Sequence, residues 1–73
     1  MMRTDQEIID QTNAIARIIY KGMGYQTPKG TEFHTEAVNR HPHERSCWNS
    51  ACEIQELMTD TEVQNCIDNL EDD

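Results

Sequence analysis

Thr4 stands three residues ahead of Glu7, and apolar side chains then recur at helical spacing through Met23. This pairing constrains the fold most strongly, because the capping-box spacing fixes a helix start and the period of 3.6 fixes a buried face. At 100° per residue, Ile8, Ile9, Thr12, Ile15, Ala16, Ile19, Tyr20 and Met23 share an arc roughly 140° wide, as a core-facing helix requires. A helix is therefore expected from about Asp5 to Lys21, with Ile18 outside its arc. Lys21 suits the negative end of that helix, and Gly22 or Gly24 can take the left-handed conformation that stops it.

A second helix is expected from His41-Pro42, since proline is tolerated at the first helical position, to Leu57 or Met58. Its face reads Cys47, Ala51, Ile54, Leu57 and Met58, with Trp48 and Cys52 as an adjoining shoulder. Thr59 and Glu62 repeat the capping-box spacing, and Val63, Cys66, Ile67 and Leu70 continue at i, i+3, i+4 and i+7. The expected fold is thus all-α: one small domain over 1–73, a hairpin of two helices closed by a short third. Residues 24–41 lose the period and contain the turn sequence Thr27-Pro28-Lys29-Gly30 between Tyr25 and Phe33. A loop or short hairpin over the helices is expected there, with one helical turn at Thr35 to Asn39, and residues 71–73 form an acidic tail.

A chain of 73 residues buries only about 60% of its unfolded surface, so its core is small. Ile18 outside the first arc and Trp48 at the edge of the second leave apolar surface uncovered, which predicts a homodimer. The odd count of three cysteines, all on predicted helices, argues for reduced thiols and a cytoplasmic setting. Met1 to Asp10 has no apolar signal segment, and the longest apolar run, Ile18 to Tyr20, is far too short to span a bilayer.

The charge is lopsided. Residues 1–52 hold six acids and six bases, while Glu53, Glu56, Asp60, Glu62, Asp68, Glu71, Asp72 and Asp73 face no Lys or Arg beyond Arg45. The net charge of −8 therefore belongs to one segment, which repels phosphate and attracts basic surfaces. Direct nucleic-acid binding is not expected, since the last helix, where a recognition helix would lie, is acidic. The readings left are a solvated face or a surface that meets a basic protein, in the second case by mimicking a phosphate array. Ile18, Trp48, Glu53, Glu56, Glu62 and Asp68 are the candidate interface residues.

Other chemistries have weaker support in the sequence. His41, His43, Cys47 and Cys52, with His34 and Cys66 further off, form the one metal-like grouping, and a zinc-binding regulatory module is the third reading. Cys47 and Cys52 point about 140° apart on one helix, unlike a zinc knuckle, so no metal or other cofactor is expected, and EDTA should leave the fold unchanged. His43 and Cys47 lie one turn apart as a nucleophile and base would, but nothing supplies an orienting group or oxyanion site, so no enzyme is expected. Lys21-Gly22-Met23-Gly24 ends a helix, whereas a phosphate cradle would begin one.

Three stretches carry a resemblance: Arg3-Thr4-Asp5-Gln6-Glu7-Ile8-Ile9, His41-Pro42-His43-Glu44-Arg45 to Trp48, and Thr59-Asp60-Thr61-Glu62-Val63. Together they resemble small early-region proteins of temperate lambda-like phages, encoded between the recombination exonuclease and excisionase genes. The resemblance implies a non-enzymatic helical accessory protein acting in the bacterial host cytoplasm. It would bind a host protein and modulate host physiology or the choice between lytic and lysogenic growth. The alternative is an acidic inhibitor of a nucleic-acid-binding host enzyme such as a CRISPR or restriction complex. No functional residue carries over from the resemblance.

Overall fold

The computed structural model describes residues 4–26, 32–34 and 42–71, and within them the protein is all-α. Helix α1 spans Asp5–Gly22, α2 spans Pro42–Thr59 and α3 spans Val63–Glu71. The turn expected at 27–30, the helical turn at 35–39, and Asp72 and Asp73 of the tail expected at 71–73 lie outside the described residues, while Glu71 ends the last helix.

Both ends of α1 form for local reasons. The Thr4 hydroxyl accepts the Glu7 N–H at 3.1 Å, satisfying one of the unpaired donors of the first turn. At the other end Gly24 takes φ +96°, the left-handed region that any side chain would strain. The Gly24 N–H then reaches the Lys21 carbonyl at 3.0 Å and the Tyr25 N–H reaches the Tyr20 carbonyl at 3.3 Å. This is a Schellman ending, and its usual apolar contact is the stack of Tyr25 on Tyr20, with ring centroids 4.9 Å apart. Of the two glycines, Gly24 is the stop.

Helix α1 is the centre of the molecule: α2 and α3 each pack on it and barely touch one another. Helices α1 and α2 run antiparallel, since the Cys47 thiol meets Met23 while the Gln55 amide meets Ile8 and Gln11. Ile8, Ile9, Ala16 and Tyr20 of α1, Phe33 of segment 32–34, Cys47, Trp48 and Ala51 on the inner face of α2, and Val63, Cys66 and Ile67 of α3 make the core. Full burial of a side chain such as Ile9, Phe33 or Val63 contributes about 1.5 to 3 kcal/mol.

The inner face of α2 differs from the expected one. Cys47 and Ala51 are buried as anticipated, but so are Trp48 and Gln55, while Ile54, Leu57 and Met58 lie partly or largely in solvent. The helix is turned toward its Trp48 side, which gains the largest apolar area available on α2. Trp48 thus belongs to the core at 5% exposure, not to the edge of an interface. Leu70, also expected inside, is 41% exposed at the end of α3.

The expected second capping box is also replaced. The Thr59 hydroxyl donates to the Gln55 carbonyl at 2.7 Å and so stays within α2. Helix α2 stops instead at Asp60, whose φ of +56° and N–H bond to the Glu56 carbonyl, 2.8 Å, make a left-handed cap. Aspartate is among the few non-glycine residues that tolerate this region. Glu62, just ahead of α3, accepts the Asn65 amide at 3.1 Å.

One buried amide ties α2 to α1. Gln55 donates to the Ile8 carbonyl at 3.2 Å and to Gln11 Oε1 at 3.0 Å, but its own Oε1 is buried without a hydrogen bond. The Ile8 carbonyl also accepts the Thr12 hydroxyl at 2.6 Å, and half-buried Gln11 can turn toward water. Gln55→Met, which keeps the volume and removes the unsatisfied oxygen, is therefore expected to leave stability unchanged or raise it by up to about 1 kcal/mol in urea denaturation. A loss greater than this would mean that the Gln55 bonds contribute more than its orphaned oxygen costs.

Candidate functional site

The carboxylates of the second half lie on the surface. Glu53 and Glu56 on the last turns of α2, Asp60 and Glu62 in the connection, and Asp68 in α3 are all exposed. Neutral amides hold two of them in place, Gln64 donating to Asp68 at 3.0 Å and Asn65 to Glu62. Such bonds fix direction without cancelling charge. Keeping carboxylates in water is cheap, whereas burying one costs several kcal/mol. Ile18 is 72% exposed on the outer side of α1, beside an open groove lined by Arg17, Lys21, Tyr25 and Gln26. The candidate interface residues therefore divide: Ile18 and the four carboxylates are on the surface, while Trp48 is inside and tilts against the His34 ring 6.1 Å away.

At the end of the hairpin where α1 stops and α2 starts, the structure brings together an aromatic group that the periodicity did not reveal. Tyr25 stacks on His43 with ring centroids 4.7 Å apart and planes 9° from parallel, and Tyr20 completes the cluster, 4.9 Å from Tyr25 and 6.0 Å from His43. The Tyr20 hydroxyl donates to Glu44 at 3.3 Å, and beneath it the Cys47 thiol donates to the Met23 sulfur at 3.2 Å. His43 is thus engaged through its ring face, and Cys47 is fully buried.

The thiols are all held in their protonated form. Burial, and then the Glu44 charge, pushes the Cys47 thiol up; burial, and then a hydrogen bond to Asp5 together with its charge, pushes Cys66 up. Cys52 is raised by burial and by Glu56 to about 11. A nucleophilic cysteine needs the opposite environment, with a nearby cation or helix N-terminus that favours the thiolate. All three cysteines are free. Among the described residues no three His, Cys, Asp or Glu side chains converge where a metal ion would be held, and His41 lies outside that set. No described helix is long and apolar enough to cross a membrane.

No protein-family model, no curated protein and no solved structure matches this chain. The surface itself must therefore carry the functional reading.

Proposed function

We propose that the chain is a non-enzymatic protein-binding domain whose acidic second half meets a basic surface on another protein. The observation that carries this reading is the exposure of Glu53, Glu56, Asp60, Glu62 and Asp68 in a segment without a single Lys or Arg. Uncompensated charges of one sign sum to a field that steers an oppositely charged partner, although each exposed carboxylate contributes little to folding. Thiols kept protonated by burial support a binding role over a catalytic one. Together with the resemblance to early-region phage proteins, this makes the partner a basic host protein in the bacterial cytoplasm. The chain would there modulate host physiology or the lytic and lysogenic choice.

The test replaces Glu53, Glu56 and Glu62 by Gln and Asp68 by Asn. All four are exposed, so helical circular dichroism should not change. A basic protein captured from bacterial lysate by the wild type should associate with the variant at least tenfold more slowly at low salt, a difference that shrinks toward about 0.3 M as screening shortens the field. Equal association rates across that salt range would show that the segment only solubilises the fold. Displacement of the captured protein by duplex DNA would identify the contact as nucleic-acid mimicry.

A homodimer through the Ile18 side of α1 is part of this proposal, since Ile18 and Tyr25 flank the same groove and are 72% and 42% exposed. Sedimentation at micromolar concentration should give twice the chain mass of 8.5 kDa. Ile18→Glu should give one chain mass, and a folded wild-type monomer at that concentration would sink the dimer.

A further inference from the structure

We infer that Ile54, Leu57 and Met58 form the apolar anchor of a docking surface for a cationic amphipathic helix of a partner protein. This rests on the protein-binding reading of the acidic half and adds to it the shape of what is bound. The three side chains are 39%, 88% and 63% exposed. At i, i+3 and i+4 they span an arc of about 100°, a ridge that the i, i+3 and i+4 side chains of a partner helix can straddle. One exposed leucine needs no explanation, but here the usual pattern is inverted. Helix α2 buries the polar Gln55 fully while it turns Leu57, two residues on, into solvent. Burial of Trp48 sets that rotation, because Gln55 shares its face and Leu57 lies opposite, and it leaves three adjacent apolar side chains in water that association would cover.

Charge decides the occupant. Glu53 lies one turn before Leu57, Glu56 adjoins it, and Asp60 and Glu62 follow directly, all exposed. No Lys or Arg occurs between residue 46 and residue 73. A second copy that offered the same face would bring these carboxylates together, and an anionic membrane or nucleic acid would be repelled for the same reason. A helix with leucine-like anchors and Lys or Arg along its flanks satisfies both the ridge and its rim.

The experiment is a titration of the full-length labelled protein, followed by NMR of backbone amides and side-chain methyls. The probe is a synthetic helical peptide with leucines at i, i+3, i+4 and i+7 and lysines elsewhere. Two controls carry Glu for every Lys, or Ser for every Leu. The lysine peptide should shift the Ile54, Leu57 and Met58 signals, and neither control should do so. Leu57→Ser combined with Met58→Gln, both at exposed positions, should weaken binding at least tenfold with unchanged circular dichroism. If this double variant binds as well as wild type while charge neutralisation abolishes binding, the acidic surface stands and the anchor is overturned. If neither variant changes binding, both readings fall. Equal binding of the glutamate peptide, or strip signals that move with protein concentration alone, also overturns the proposal, the last by assigning the strip to a second copy.

Discussion

Asn13→Leu should lower the melting temperature by about 15 °C. Asn13 is 3% exposed and sits on the inner side of α1. Its Oδ1 accepts the Phe33 N–H at 2.7 Å, while its Nδ2 donates to the Ile9 carbonyl at 3.1 Å and pairs with His34 Nδ1 at 3.0 Å. An amide nitrogen can only donate, so His34 Nδ1 is the unprotonated ring nitrogen. One side chain therefore ties segment 32–34 to α1, and with it Phe33, which is 1% exposed and meets the Tyr20 ring edge-on at 5.6 Å. Leucine matches the size of Asn13 but leaves the buried Phe33 N–H without an acceptor, at a cost of about 1 to 3 kcal/mol. Weaker anchoring of Phe33 adds to this, and the whole domain has only about 4 to 10 kcal/mol to lose. Asn13→Asp keeps the acceptor and loses both donor bonds, so it should retain the Phe33 contact yet remain destabilised. A leucine variant that melts within a few degrees of wild type would show that 32–34 is held by Phe33 packing alone.

This clamp is not legible in the sequence, whereas other parts of the fold are. Helix α1 is legible because its signals are local: Thr4 with Glu7 starts it, and Gly24 ends it. The span of α2 is legible from Pro42 for the same reason. Its inward face is not, because periodicity ranks Leu57 and Met58 above Gln55 and has no means of anticipating that the Gln55 amide would find the Ile8 carbonyl and Gln11 47 and 44 residues away. Asn13 fits no apolar pattern, and its partners lie 20 and 21 residues further along in a stretch without period. The one available hint was Phe33, an aromatic residue in an otherwise polar segment. The acidic surface was legible because the cost of burying a carboxylate nearly dictates its exposure. Trp48 is the counterexample: helical periodicity places it on a shoulder, and the area gained by burying an indole turns the helix toward it.

Alkaline pH should unfold the protein well before its backbone chemistry fails, with a melting temperature at pH 10.5 at least about 10 °C below that at pH 7.5. Four groups act in one direction. Tyr20 is raised chiefly by burial and then by Glu44, Cys47 by burial and Glu44, Cys66 by burial and Asp5, and Cys52 to about 11 by burial and Glu56. In the unfolded chain thiols lose their protons near pH 8.5 to 9 and tyrosine near 10. Between those values and the higher folded ones the native state holds more protons than the unfolded state, so stability falls as pH rises. The contribution is fully present below about pH 8.5 and is lost progressively through about pH 11. Cys52 alone accounts for about 1 kcal/mol once solvent screening at its half-buried position is allowed for. The net negative charge of the chain also grows over this pH range and repels itself, and salt separates the two causes. Screening at about 0.5 M relieves that repulsion between exposed charges but does not reach the desolvation of a buried thiolate, so the alkaline loss should persist there. Cys52→Ala should reduce the steepness of the fall while leaving the melting temperature near pH 7.5 almost unchanged. Urea midpoints that stay level from pH 7.5 to 10.5 would mean that the thiols and Tyr20 can ionise without leaving the core, and that its interior is wetter than its packing implies.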